Sequence, residues 1–113
     1  MSITTHVLDT ARGKPADGVP IVLEIRDVKG GWFEVGRGTT DGDGRLRNLV
    51  PSGLALEPST YRLTFDTADY FRAQGRDGFY PEVTISFTVR DPTQHYHVPL
   101  LLSPFGYSTY RGS

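Results

Sequence analysis

Hydrophobic residues alternate with polar ones in several short segments, a pattern typical of β-strands with one buried face. The alternation is clearest in residues 82–90, where every second residue is apolar and those between are Thr, Ser or charged. Residues 19–27 and 61–65 repeat the pattern. Seven or eight such strands in one short chain predict an all-β protein built as a two-sheet β-sandwich.

Turn residues and one short helix separate these strands. Lys29-Gly30-Gly31 predicts a hairpin, because glycine reaches positive φ without strain. Residues 67–75 break the alternation, with a possible helix cap at Asp66 or Thr67 and a stop at Gly75. We therefore expect one short helix of about two turns.

The composition narrows the class of protein. The 113 residues favour a single domain over 1–113. The chain has no cysteine, which excludes disulfides, a thiol nucleophile and thiolate metal ligands. The net charge of -1 gives no field that would attract nucleic acid or an anionic membrane. No segment has the length and apolar character of a membrane span or a signal peptide, so we expect a cytoplasmic protein.

Candidate functional groups lie on the strand near the C-terminus, residues 95–103. One face of this strand is predicted to be core: Tyr96, Val98, Leu100 and Leu102. The other face then points outward: His95, His97, Pro99 and Leu101. Residues 3–8 show the same alternation. If Val7 lies in the core, His6 and Leu8 point outward. An outer face this apolar predicts a covering partner subunit, with a ligand cleft at the interface.

The histidines allow three interpretations. In the first, His95 and His97 act as a general acid/base pair, since an imidazole has a pKa of ~6.5 and exchanges protons near neutrality. Alternatively they are polar residues on a solvated strand. A third possibility is a zinc site that His6 completes, because a His-x-His pair places both rings on one side of a strand.

Arg45 and the C-terminus are the other candidates. Arg45 either clamps a planar oxyanion through paired hydrogen bonds or carries charge that deters edge-to-edge association of a short strand. The chain ends in Tyr110-Arg111-Gly112-Ser113, preceded by an aromatic, β-prone segment over 105–110. We expect this terminus to be anchored in the sheet, although many termini fray.

At these positions the chain resembles the 5-hydroxyisourate hydrolases, the transthyretin-like enzymes of urate breakdown. The resemblance runs almost end to end and is carried by four motifs: His6-Val7-Leu8-Asp9, Asp43-Gly44-Arg45, His95 to Pro104, and the terminal Tyr110-Arg111-Gly112-Ser113. Phe79 to Val83 also matches, whereas residues 28–40 match loosely. Transthyretin itself shares the fold but lacks the histidines, the arginine and the terminal tetrapeptide.

The resemblance implies a transthyretin-like sandwich assembled as a homotetramer, a dimer of dimers. It implies hydrolysis of 5-hydroxyisourate to 2-oxo-4-hydroxy-4-carboxy-5-ureidoimidazoline, with no metal and no organic cofactor. The implied catalytic residues are His6, Arg45, His97 and Ser113. The implied substrate-binding residues are His6, Arg45, Tyr110, Arg111 and Gly112.

These residues support a mechanism of water attack on a lactam carbonyl, in which one imidazole deprotonates the water and the other protonates the leaving nitrogen. The order of the two histidines is open at this point. The main alternative is a transthyretin-like protein that binds a small aromatic ligand. An immunoglobulin-like adhesion or sugar-binding module is a second alternative, but it would be expected with a secretion signal or neighbouring domains.

Overall fold

The computed structural model describes residues 2–113 and contains two β-sheets and one helix. Seven strands have four or more residues and two have only two, so the prediction of seven or eight strands with one short helix is confirmed. The elements are β1 Ser2–Asp9, β2 Lys14–Pro15, β3 Pro20–Arg26, β4 Trp32–Thr39, β5 Arg45–Leu46, β6 Ser59–Phe65, α1 Thr67–Arg72, β7 Val83–Val89, β8 His95–Ser103 and β9 Gly106–Thr109.

The two sheets pack face to face around the apolar residues that the alternation placed inside. One sheet has the order β2-β1-β8-β9, with β5 also paired to β1. The other has the order β4-β3-β6-β7. The predicted inward face of β8 is buried, as are the inward residues of β1 and β6. On β3, Ile21 and Leu23 are buried and Ile25 packs partly buried against the core. Burial of these side chains is the main favourable contribution to folding.

Local sequence signals set the turn and the helix where they were predicted. Asp27 begins the β3–β4 hairpin by accepting hydrogen bonds from the backbone N–H groups of Lys29 (2.8 Å) and Gly31 (2.7 Å). Asp66 caps α1 through a bond from the Asp69 N–H (3.0 Å). Gly75, with φ of 65°, follows the helix in the left-handed region that favours glycine.

A buried ion pair fixes the end of β1 to the helix region. The Asp9 side chain is fully buried and accepts hydrogen bonds from Arg76 (2.7 Å) and from the Tyr70 hydroxyl (2.8 Å). The backbone N–H of Arg12 adds a third bond (3.1 Å). Burial raises the pKa of Asp9, but the bonds from Arg76, Tyr70 and Arg12 outweigh it and leave the pKa below its ordinary value.

No helix within residues 2–113 has the length and apolar character needed to cross a bilayer.

Candidate active site

Four separate segments meet on the outer face of the sheet that contains β1. Strand β1 pairs in parallel with β8, which sets Thr4 opposite His97 and His6 opposite Pro99. On its other side β1 pairs with β5, which sets His6 opposite Arg45. Side chains of opposed residues in a sheet lie about 5 Å apart on one face. The pairing of β1 with β5 and β8 therefore brings residues near positions 6, 45 and 97 together.

The position of Arg45 depends on the tight turn before it. The Asp41 carboxylate accepts hydrogen bonds from the backbone N–H groups of Asp43 and Arg45, both at 2.9 Å. Gly44 has φ of 75°, and any Cβ there would collide with the Val7 carbonyl oxygen. The Val7 N–H also donates to the Gly44 carbonyl (2.7 Å). Only glycine fits this approach, so the turn holds Arg45 in register beside His6.

The C-terminal tail returns to the sheet beside His97, as its aromatic, β-prone composition predicted. The Gly112 N–H donates to the His97 carbonyl oxygen at 2.8 Å, and the two residues form an isolated β-bridge. A Cβ placed on Gly112 would lie 2.5 Å from the His97 ring carbon Cδ2 and 3.3 Å from Pro99 Cγ. The tail therefore lies directly against the His97 ring.

This path of the tail corrects one expectation about β8. Pro99 was expected to face outward beside His95 and His97, but it is buried. Its carbonyl accepts a hydrogen bond from the Thr109 hydroxyl (2.7 Å), and Gly112 lies over its ring. The alternation of β8 placed Pro99 on the correct face, but it does not reveal that the same chain covers that face.

Hydrogen bonds orient both candidate imidazoles. His6 Nε2 donates to the Asp43 carbonyl oxygen (2.9 Å), so a neutral His6 keeps its lone pair on Nδ1. His97 Nδ1 is 2.8 Å from the Thr4 hydroxyl oxygen. No hydrogen bond from residues 2–113 engages His97 Nε2, which leaves that nitrogen for a ligand.

The surroundings of His97 favour its neutral form. Burial lowers the pKa of His97, and the nearby charges of Arg45, His95 and His6 lower it further. All three neighbours disfavour a positive charge on the ring. His97 is therefore mostly unprotonated at neutral pH, which is the state that a general base requires.

The structure places some of the predicted site residues in one groove and others beside it. The groove has a volume of about 200 Å³ and is lined by Thr4, Thr5, Arg45, Arg47, His95, His97 and Ser113. His6 is not part of this lining, although it is paired with Arg45. Tyr110 and Arg111 line a neighbouring cleft of about 350 Å³ that His97 shares. Arg111 donates to Gln94 Oε1 (2.9 Å) and lies over the Tyr96 ring.

Thr4 and Arg47 were not singled out from the sequence. Thr4 shares a strand face with His6, so its proximity to His97 follows once β1 and β8 are known to be parallel neighbours. Arg47 lies two residues after Arg45, the spacing that returns a side chain to the same side of an extended chain. The pairing of distant strands was the missing information in both cases.

The three-histidine zinc hypothesis requires a close cluster of ligands. Within residues 2–113 no three side chains of the types His, Cys, Asp or Glu are grouped closely enough to hold a metal ion. His95 and His97 have parallel rings with centroids 6.3 Å apart, and both contact the Thr4 hydroxyl instead.

Comparison with known proteins assigns this chain to a family. The sequence profile of the HIUase/Transthyretin family matches residues 3–112. The chain belongs to this family. The 5-hydroxyisourate hydrolase of Salmonella dublin is 47% identical over 98% of this chain and 80% of its own length. The mouse 5-hydroxyisourate hydrolase is 46% identical over 98% of this chain and 94% of its own length.

Solved structures with the same fold include both a 5-hydroxyisourate hydrolase and a transthyretin in complex with thyroxine. Klebsiella pneumoniae 5-hydroxyisourate hydrolase has a TM-score of 0.86 and 32% identity, covering 99% of this chain and 98% of its own. Sea bream transthyretin in complex with thyroxine has a TM-score of 0.91 and 32% identity, covering 99% and 95%. The transthyretin-like sandwich is thus confirmed. Because the hydrolase and transthyretin share this fold, only the side chains of the site can distinguish the two functions.

Proposed function

We propose that this protein hydrolyses 5-hydroxyisourate to 2-oxo-4-hydroxy-4-carboxy-5-ureidoimidazoline in urate breakdown. The observation that carries the proposal is the groove itself, in which the Arg45 guanidinium, the His97 imidazole and the terminal Ser113 meet. Relatives named 5-hydroxyisourate hydrolase, at 46–47% identity over 98% of the chain, support the same substrate.

The reaction adds water to a ring carbonyl and breaks the adjacent carbon–nitrogen bond. The water oxygen bonds to the carbonyl carbon, and the leaving ring nitrogen takes one proton. The new carboxylic acid ionises to a carboxylate and releases the second proton to water. The chain has no cysteine, and the groove lining contains no pair of acidic side chains, so water itself is the nucleophile. His6 and His97 supply the proton acceptor and the proton donor.

Arg45 stabilises the negative charge that develops on the carbonyl oxygen. Its planar guanidinium presents paired N–H donors, which match a carbonyl edge or an oxyanion better than a lysine does. Preorganised donors of this kind contribute about 3–4 kcal/mol to transition-state stabilisation. Ser113 orients the water or an imidazole. Tyr110 and Arg111 contact the substrate ring from the neighbouring cleft, and Gly112 contacts it from beside His97.

The second candidate function is that of a transthyretin-like carrier, which the similarity to the thyroxine complex of sea bream transthyretin favours. The composition of the groove argues against it. Arg45, Arg47 and two imidazoles line the groove, and covering them with an apolar ligand would cost free energy. A small, planar, polar substrate satisfies these groups.

We propose that the protein works as a homotetramer, a dimer of dimers. Strands β7 and β9 are the outer strands of their sheets, and β7 and the C-terminal tail line the same cleft. Free edges at one end of a sandwich favour pairing with a second copy. Leu8 and Leu101 remain partly exposed on the face that carries the groove, which provides an apolar surface for the second contact.

The test is an ultraviolet assay of fresh 5-hydroxyisourate, generated by a urate oxidase and followed with and without the protein. We expect the protein to accelerate its decay. His97→Ala and His6→Ala should each lower kcat by ~10²–10⁴-fold if proton transfer limits the rate. Arg45→Gln should lower kcat, whereas Arg37→Gln, an exposed arginine on β4, serves as the matched control. An unchanged decay rate with the wild-type protein would reject the proposed activity.

A further inference from the structure

His95 is linked to His97 by one hydroxyl group. Thr4 Oγ1 lies 2.8 Å from His97 Nδ1 and 3.2 Å from His95 Nε2. The other nitrogen of His95, Nδ1, is hydrogen-bonded to the Ser2 hydroxyl. Thr4 is only 8% exposed, whereas His95 is exposed. A continuous chain of hydrogen bonds therefore runs from His97 through Thr4 and His95 to Ser2.

The chain of bonds restricts where the protons reside. A hydroxyl group has one proton, and a neutral imidazole has one donor and one acceptor nitrogen. If Thr4 accepts from His97 Nδ1, it donates to His95 Nε2, and His95 Nδ1 then donates to Ser2. His97 is then left with an unprotonated Nε2. If every bond reverses, His97 Nε2 carries the proton instead. The direction of the chain thus decides whether His97 presents a base or an acid to the groove.

We propose that Thr4 is a positioning residue that holds His97 with its proton on Nδ1, and that His95 fixes the direction of this bond by accepting from the Thr4 hydroxyl. The inference rests on the proposed hydrolase function. It assigns His97 as the base and gives His95 a positioning role.

The proton balance of ring opening requires a base that begins and ends each cycle with a free Nε2. His97 Nε2 takes one proton of the attacking water, and His6 gives a proton to the leaving nitrogen. The other proton of the water stays on the new carboxylic acid, which ionises and releases it to water in the open groove. The proton that His97 took then replaces the one that His6 gave, so His97 keeps its proton on Nδ1 throughout.

The surroundings of His97 favour its return to the neutral form. Burial is the largest effect that disfavours a lasting positive charge on the ring, and Arg45 from β5, His95 from β8 and His6 from β1 add to it. A protonated His97 therefore loses its proton readily.

The first test needs no substrate. Nitrogen-15 NMR of the histidine rings at pH 7.5 should show His97 protonated on Nδ1 and not on Nε2. Thr4→Val should abolish this preference, and Thr4→Ser should restore it. Thr10→Val is the matched control, since Thr10 is on the same side of the sandwich and loses one hydroxyl bond to the Leu102 carbonyl. A wild-type His97 protonated on Nε2, or an unchanged spectrum in Thr4→Val, would overturn the proposal.

The second test measures turnover of 5-hydroxyisourate. Thr4→Val should lower kcat by about 10²-fold, since a base in the wrong tautomer loses much of its acid–base contribution. Thr4→Ser should remain within a few-fold of wild type. His95→Ala should lower kcat less than Thr4→Val does, because Thr4 keeps its bond to His97 and loses only the acceptor that fixes its direction. Wild-type kcat in Thr4→Val would refute the positioning role, whereas absence of wild-type turnover would reject the hydrolase function and leave the NMR result standing.

Discussion

Gly112 lies so close to the His97 ring that no side chain fits at this position. A methyl group there would come within 2.5 Å of the His97 ring. We expect Gly112→Ala to displace His97 and lower kcat by ~10–10²-fold, because small misplacements of a catalytic group are costly. The stability of the protein should change little, since Gly112 is joined to the sheet only by an isolated bridge to His97.

Gly106→Ala is the matched control for this prediction. Gly106 is in the same C-terminal stretch, and the nearest atom to an added Cβ there is Ser103 Oγ at 3.8 Å, an ordinary contact. Steady-state kinetics with 5-hydroxyisourate would compare the two variants. Wild-type kcat in Gly112→Ala would show that the tail does not fix the ring.

The lowered pKa of His97 determines how kcat/KM should depend on pH. Burial, followed by Arg45, His95 and His6, lowers this pKa below the ordinary value of 6.5. As the pH falls, His97 therefore stays neutral longer than a free histidine. We expect kcat/KM to remain level from neutrality down to the ordinary histidine pKa and to decline only below it. A decline centred above pH 6.5 would assign the acid limb to another group.

At the scale of elements, the ion pair between Asp9 and Arg76 connects β1 to the residues after α1. Asp9 is fully buried and the Arg76 side chain is 24% exposed. Arg76→Met should lower the free energy of unfolding by about 3 kcal/mol, because it leaves a buried carboxylate without its charged partner. Urea denaturation at pH 7 would measure this. Arg37→Met, which removes the exposed partner of Glu34, should have no measurable effect.

Acid should reduce the stabilisation that the ion pair between Asp9 and Arg76 provides. The folded pKa of Asp9 lies below its ordinary value of 3.8, so its ionised form stabilises the fold at all pH values well above 3.8. This contribution is lost as the pH falls through the folded pKa of Asp9. The stability difference between wild type and Tyr70→Phe, which lacks one hydrogen bond to Asp9, should therefore shrink in strong acid. If the stability difference between wild type and Tyr70→Phe did not change with pH, the stabilising effect of Tyr70 would not depend on the ionisation of Asp9.

The strands and their buried faces could be predicted from the sequence, but the pairing of the strands could not. Alternation identifies the strands and their buried faces, because burial of one face depends only on residues two apart. It also placed His6 and His97 on outer faces. The groove requires β1 to lie between β5 and β8, and no local pattern encodes such pairings. The resemblance to a family supplied that information for Arg45 and His97, while Thr4 became visible only through its register with His97.

For the whole molecule, the exposed aromatic cluster marks a surface that a second copy should cover. Phe79 is 68% exposed and packs edge-to-face on Tyr80, which packs in turn on Tyr107. Phe105 is also exposed, and the Phe79 N–H donates to the Pro104 carbonyl oxygen (2.7 Å). Clustered aromatics are typical of the energetic centre of a protein–protein interface.

We therefore expect Phe79→Ser to dissociate the assembly, as measured by analytical ultracentrifugation across a range of protein concentrations. Phe33→Ser is the control, because Phe33 is 62% exposed on β4, the outer strand at the opposite edge of its sheet from β7. Wild type and Phe33→Ser should sediment as tetramers and Phe79→Ser as a smaller species. Turnover should fall with dissociation if the partner subunit completes the groove. A wild-type protein that sediments as a fully active monomer would contradict both the assembly and the need for a second subunit at the site.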